Sequence, residues 1–327
     1  MPVPRGCVPV PASVEDSIRI MCATPLPRAE RPRLRAERPV RIALAAAALL
    51  AAAPAQAGPR TAKAAPASVT VDYGINLAGM PIGTAHLAGS FEGARYRMDV
   101  SATLTGLVGA ITGGQGSARA SGLIATGPQP NAFSIATRTS NSGIAVRMAL
   151  ARGNVTQAEV TPPLIDMEDR VPVTAANKRG IMDPASALLM PAHARGDLTD
   201  PENCNRTLPV FDGATRFNVV LSYAETRPVE KPGYSGPVLV CNARYQAVAG
   251  HRPDRPGVRF MEENRDMSVW LAPVDGTRVL LPMRISVRTT IGTNIIEATR
   301  WTRSGPAPTG TAGGAGTTVA QANLSAQ

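Results

Sequence analysis

Between residues 68 and 302, apolar and polar side chains alternate in short runs, and glycine, proline or Asp/Asn punctuation breaks the alternation about every ten residues. A period of two is the pleat of a β-strand with one buried face; a helix repeats at 3.6. Residues 68–77 and 82–91 read as a first pair joined around Gly79-Met80-Pro81, and residues 95–102, 117–125, 131–139, 144–150 and 155–160 continue it as a meander. From Pro162 to Gly180 the alternation stops, and three prolines, the acids Asp166, Glu168 and Asp169 and the pair Lys178-Arg179 describe a solvated connection. Strands return after Cys204, at 216–223, 237–249, 266–272, 278–290 and 293–301, with a loop at 252–257. Asp275-Gly276 is the strongest hairpin turn of the chain, and Pro282, which has no N–H to donate, sets its strand at an edge or a bulge.

One segment departs from this pattern. Asp183-Pro184-Ala185-Ser186-Ala187-Leu188-Leu189-Met190 offers an N-capping aspartate, a proline at the first helical position and an apolar run, with Pro191 to end it and Gly196 beyond. The expected fold is mainly β: a large, strongly curled antiparallel sheet of about a dozen strands with this one helix at its centre or its rim. A sheet with that many strands cannot stay flat. It splits into a sandwich or rolls into an open barrel or half-barrel.

Ahead of the sheet, Arg31, Arg33, Arg35, Arg38 and Arg41 precede an apolar block from Ile42 to Ala53 and the small-residue pattern Ala55-Gln56-Ala57, the composition of a secretory signal peptide cleaved before Gly58. The uncharged stretch is shorter than the roughly 20 residues that cross a bilayer. No cysteine follows it closely to carry a lipid, and no Arg-Arg pair marks the twin-arginine route. The long approach to the apolar block favours translation from Met21, which leaves Cys7 and Cys22 outside the mature chain. Residues 1–57 are thus expected to be signal peptide, 58–67 a disordered linker, 68–302 one β domain and 303–327 a disordered tail whose Gly/Ala/Thr composition cannot offset its ordering entropy. The expected address is the periplasm, with nothing spanning the membrane after cleavage.

The leader also accounts for much of the charge. Eight of the 34 Lys and Arg and four of the 24 Asp and Glu precede residue 58, so the formal charge falls from +10 to +6. With those charges interspersed and 4% aromatic residues, the chain lacks the clustered cations and stacking rings of a nucleic-acid surface.

The mature chain keeps Cys204 and Cys241, 37 residues apart. In an oxidising compartment such a pair is expected to close as a disulfide, and loop-closure entropy values a loop of that size at about 4 kcal/mol. The rival is a metal site of His193, Cys204, Cys241 and His251, whose spacings match none of the short paired-ligand patterns of structural zinc.

No constellation of residues names a reaction. The chain has no Gly-x-Ser-x-Gly elbow. His86, His193 and His251 stand in separate contexts, and Glu168-Asp169 and Glu262-Glu263 are adjacent acids in polar segments, not carboxylates opposed across a substrate. The glycine-rich run 109–117 lacks the lysine and the following helix of a phosphate loop, and reads as a flexible loop between strands. Its apolar approach, with Leu107, Val108 and Ile111, is expected to form a lid over the concave face. Catalytic residues, cofactor and metal are all expected to be absent.

The order of features resembles a known family. Tyr73-Gly74-Ile75 with Gly79 and Ile82-Gly83, the mid-chain Asp183-Pro184-Ala185-Ser186-Ala187-Leu188-Leu189, and the closing Trp270-Leu271, Leu281-Pro282-Met283-Arg284-Ile285 and Ile291-Gly292-Thr293 resemble the exported proteobacterial family called domain of unknown function 3108, over about residues 70 to 302. The resemblance implies a periplasmic β-rich protein with no established activity, similar in its curled sheet to envelope lipoprotein carriers. It brings no catalytic residue with it.

Two function classes follow. The first is a binding module for an apolar or lipidic cell-envelope ligand, held by Phe217, Val219, Leu221, Leu188 and Leu189 under the Leu107/Val108/Ile111 lid. The second is a non-catalytic structural or interaction protein of the cell envelope, partnered by envelope proteins, whose concave face is filled by its own helix. The placement of Asp183–Met190 separates them: at the rim it leaves a cavity, at the centre it takes the room.

Overall fold

The computed structural model describes residues 67–164, 168–193 and 195–304. The expected signal peptide, Met21, Cys7, Cys22, nearly all of the linker and the tail beyond Ser304 lie outside the described residues, as does Asp166. Two meanders form one antiparallel sheet. The first comprises β1 (Ala67–Leu77), β2 (Met80–Glu92), β3 (Arg95–Leu104), β4 (Gln115–Ile124), β5 (Pro128–Arg138), β6 (Gly143–Ala151) and β7 (Asn154–Thr161). A connection carrying the two-residue β8 (Met190–Pro191) leads to the second: β9 (Arg206–Phe211), β10 (Arg216–Lys231), β11 (Tyr234–Ala249), β12 (Met267–Val274), β13 (Val279–Thr289) and β14 (Gly292–Ser304). β14 pairs with β1, Ser68 opposite Ser304 and Val71 opposite Trp301, so the first and last strands meet in mid-sheet while β7 and β9 form its edges.

The alternation that defines the strands also defines the core. In β1, Val69, Val71, Tyr73 and Ile75 are buried and the residues between them are not. The sheet curls until its ends approach each other. A Cβ at Gly213, in the β9–β10 turn, would stand 2.4 Å from Val146 Cγ1 of β6, and the backbone there has φ +102°, so only glycine fits. The edges do not pair directly. Ile181 N donates to Gly153 O in the β6–β7 turn, Met182 N donates to Pro209 O, and Phe211 N donates to Met182 O. Residues 181–182 therefore lie in the seam of an open, curled sheet.

The segment expected to be a helix is a compact plug instead. Only Ser186–Leu188 forms a turn of 3-10 helix. The Asp183 carboxylate caps it as the sequence suggests, accepting from Ala185 N (3.0 Å) and Ser186 N (2.8 Å). Two residues later the backbone is drawn out of helical geometry, because Met190 and Pro191 pair as β8 with Leu280 and Val279 of β13. Residues of the plug join both hydrophobic clusters of the described residues. Ile181, Ala185 and Leu189 join one that contains Val71, Tyr96, Phe133 and Trp301; Met182, Ala187 and Met190 pack with one that contains Leu208, Leu221, Cys241 and Val269. The segment thus occupies the centre of the fold.

Two helices stand where loops are expected. The glycine-rich approach forms α1 (Gly106–Thr112), closed by Gly113 in the left-handed conformation with its N–H on Gly109 O. Gly109 is a contact residue: a Cβ there would lie 2.4 Å from Leu104 O. α2 (Pro256–Glu263) begins with proline at its first turn, after the loop beginning at Arg252. Strand β9 was also missed, while Pro282 behaves as expected: the β12–β13 register slips beside it, with Leu271 opposite Pro282 and Trp270 opposite Arg284.

Cys204 and Cys241 form a disulfide, with Cα atoms 5.6 Å apart. It ties the end of the connection to β11, and neither residue is exposed. Among the described residues no group of three or more His, Cys, Asp or Glu is arranged to hold a metal. Nor is any helix among them long and apolar enough to cross a membrane.

Candidate functional site

Between the plug and strands β9 to β13 lies an apolar cavity of about 240 Å³. Of its 17 lining residues, Ser268 and Ser286 alone carry a polar side-chain atom, and none is titratable. It can therefore take up apolar surface, and no base lines it to activate the Ser268 or Ser286 hydroxyl. Its volume lies below the roughly 300–1,000 Å³ of pockets that enclose a drug-sized ligand, so it suits one short apolar chain or ring.

The cavity has a depth gradient set by strand direction. Leu208 and Val210 of β9, Leu221 of β10, Val269 of β12 and Met190 of β8 are buried, and form its floor. Phe217 and Val219 of β10, Met267 of β12 and Ile285 and Val287 of β13 are half-buried and form its mouth. Floor and mouth use the same face because Phe217, Val219 and Leu221 are two residues apart on one strand. Phe217 is steadied by the ring of Tyr245, centroids 5.3 Å apart.

One wall is held by a buried polar chain. Asp183 and Ser186 are wholly buried, and Ser186 Oγ lies 2.5 Å from Asp183 Oδ2 and 2.7 Å from the Tyr96 hydroxyl on β3. An ionised carboxylate only accepts, so Ser186 donates to it and Tyr96 donates to Ser186. Among the described residues no cation pairs with this carboxylate, and burial pushes Asp183 up to about 6 against the hydrogen bonds from Ser186 and Ala185. Burial raises the Tyr96 phenol as well. The chain fixes the plug to the first meander, and with it Pro184, Ala187 and Leu188 at the cavity wall.

Of the residues singled out in the sequence, Leu188, Phe217, Val219 and Leu221 come together around this cavity. Leu189 is buried in the other cluster. Val108 sits half-buried in α1, which packs on β2 and β3, and is not among the residues lining the cavity; the side chains of Leu107 and Ile111 lie outside the described residues. Sequence reasoning missed the β9 wall, Leu208 and Val210, and the mouth residues Met267 and Val287. The alternation in Leu208-Pro209-Val210 was available but masked by the proline, which an edge strand tolerates.

The remaining polar candidates are dispersed. His86 Nδ1 pairs with Asp72 at 2.8 Å on the sheet surface, His193 Nε2 lies 3.2 Å from Glu202 O, and His251 follows β11. Asp169 pairs with Arg252 at 2.8 Å and Glu262 accepts from Ala247 N. These contacts are structural ones between neighbouring elements.

No curated protein matches the chain. A solved structure, described as a beta-barrel-like protein of domain of unknown function DUF1849 from Brucella abortus, is similar at 8% identity and a TM-score of 0.42, covering 74% of this chain and 99% of the other. Residues 68–299, the two meanders and the plug between them, match the family described as Protein of unknown function (DUF3108), and the chain belongs to that family.

Proposed function

We propose that the protein is an exported, non-catalytic binding module that takes one apolar chain or ring of a cell-envelope molecule into the cavity between the plug and strands β9 to β13. The observation that carries this reading is the lining: fifteen of 17 residues are wholly apolar, yet Phe217, Val219, Met267, Ile285 and Val287 stay half-open to solvent at the mouth. The central plug limits the ligand to a short apolar group. Export to the periplasm is supported by the leader composition of residues 31–57 and by the Cys204–Cys241 disulfide. In this reading residues 68–302 are one β domain, preceded by a cleaved leader and a linker and followed by a disordered tail.

Native mass spectrometry of the full chain, expressed in a bacterial host and purified without detergent, tests it. The expected result is one co-purifying apolar molecule per chain, absent from Val219→Arg, whose cation stands in the mouth while far-UV circular dichroism keeps the wild-type signature. A clean apo mass that stays unchanged after incubation with envelope lipids overturns the binding reading and leaves a structural envelope protein.

A further inference from the structure

The two most exposed large apolar side chains of the described residues are Met80, 62% exposed, and Ile291, 72% exposed. They sit on adjacent turns. Met80 follows the β1–β2 turn and Ile291 lies in the β13–β14 turn, and the two turns are joined by Ala78 N donating to Thr293 O at 3.0 Å. α1 packs beside them, with Thr105 N donating to Ile82 O, and its sequence Gly-Leu-Val-Gly-Ala-Ile-Thr carries no charge. The β5–β6 turn completes this end of the sheet, with Ser140 N on Thr112 O.

The four elements of this tip carry no acid of their own. No acid occurs between Tyr73 and Phe91, between Val100 and Ala158, or between Gly276 and Ile296, the stretches that supply all four elements. Arg138, at the end of β5, and Arg288, near the end of β13, are exposed and have no carboxylate partner among the described residues. Glu262 and Glu263 of α2 border this end, and Asp266 stands opposite Arg288 across the β12–β13 pairing, its carbonyl accepting from Arg288 N at 2.9 Å, so the α2 side carries both signs while the side built by the first meander carries cations alone.

The cavity opens toward the same end. Its floor is at Leu221 and Val269 and its mouth at Phe217, Met267 and Val287, so depth decreases along β10, β12 and β13 toward the end where β13 turns at Ile291. Val287 lies four residues before Ile291.

We infer that this end of the barrel is a contact face for an anionic lipid bilayer: Met80 and Ile291 insert among the acyl chains, Arg138 and Arg288 meet headgroup phosphates, and the cavity mouth faces the surface from which its ligand comes. The surface contact stands on the exposed tips and the charge; the source of the ligand rests on the proposed binding reading. Two inserted apolar side chains and a few arginines give reversible attachment, as an interfacial docking face requires.

Co-sedimentation of the full chain with vesicles of phosphatidylcholine, with and without phosphatidylglycerol, tests the contact. The expected result is binding to the phosphatidylglycerol vesicles, reduced at least about tenfold in Met80→Asp/Ile291→Asp. Arg138→Gln/Arg288→Gln is expected to lose about fivefold per arginine on the anionic vesicles, with no change on the neutral ones. All four positions are exposed, so these variants keep the wild-type circular dichroism. Wild-type protein that stays in the supernatant, or a double aspartate variant that sediments like wild type, overturns the inference. Val219→Arg separates the two readings, since it is expected to sediment normally while losing the co-purified apolar mass. Normal sedimentation of a wild type that carries no apolar molecule sinks the ligand site and leaves the membrane face standing.

Discussion

Asp183 makes the plug pH-sensitive in a direction opposite to most carboxylates. Its side chain is wholly buried without a cation, and its value rises from 3.8 to about 6. Each tenfold change in proton affinity is worth about 1.4 kcal/mol, so the native state binds this proton about 3 kcal/mol more tightly than the unfolded chain does. Between pH 4 and 6 the native protein holds the proton and the unfolded chain has released it. Stability from this group is therefore fully present below about pH 4 and is lost as pH rises through 6. Asp183→Asn removes the titration while its amide oxygen keeps the bonds from Ala185 N and Ser186 N, and Ser186 turns to accept from the amide. Urea unfolding of wild type and variant, followed by tryptophan fluorescence from pH 4 to 7.5 with the disulfide intact, measures the difference. The expected outcome is a variant that loses ground to wild type as pH falls, the gap between them changing by about 3 kcal/mol across the window. A difference that stays constant with pH would show that the carboxylate does not sit unpaired in a dry site, and the account of the plug would fail with it.

Replacing Cys204 and Cys241 together by alanine is expected to remove about 4 kcal/mol, seen as a lower denaturation midpoint that reductant no longer changes; equal midpoints for variant and oxidised wild type would refute the staple. Because neither cysteine is exposed, reduction of the folded wild type should follow the rate of global opening, which thiol trapping over time reports. Gly233→Ala should destabilise by more than 2 kcal/mol, since that glycine has φ +84° and its missing Cβ would overlap Trp301 O of β14; an alanine variant within 0.5 kcal/mol of wild type in urea unfolding counts against that close approach.

The pleat made most of the sheet legible, because a strand with one wet face has to alternate, as Val69, Val71 and Tyr73 do. What escaped were elements whose local signals conflict with their tertiary role. Pro209 concealed β9, yet at an edge the absence of its N–H is harmless. Glycines made α1 read as a loop, although Gly109 is glycine because Leu104 O leaves no room for a Cβ. The aspartate and proline at 183 and 184 promised a helix and delivered one capped turn, since pairing with β13 claims Met190. The cavity was half visible for the same reason. Phe217, Val219 and Leu221 follow from period two, whereas the wall from β9 and the mouth at Met267 and Val287 depend on how strongly the sheet curls, which no local pattern encodes.

The pairing of β1 with β14 sets the order in which the molecule can be completed. Ser68 and Ser304 are 236 residues apart in the chain and neighbours in the sheet. During synthesis from the N-terminus, the first seven strands can assemble as hairpins of low contact order, but β1 then presents a bare outer edge until the last strand arrives. Val69, Val71, Tyr73 and Ile75 lie on that waiting strand, with Asp72 its single charge. A half-made molecule thus carries an apolar strand edge able to accept a strand from another chain. The mid-sheet seam is its last joint to close and its chief hazard while unfinished.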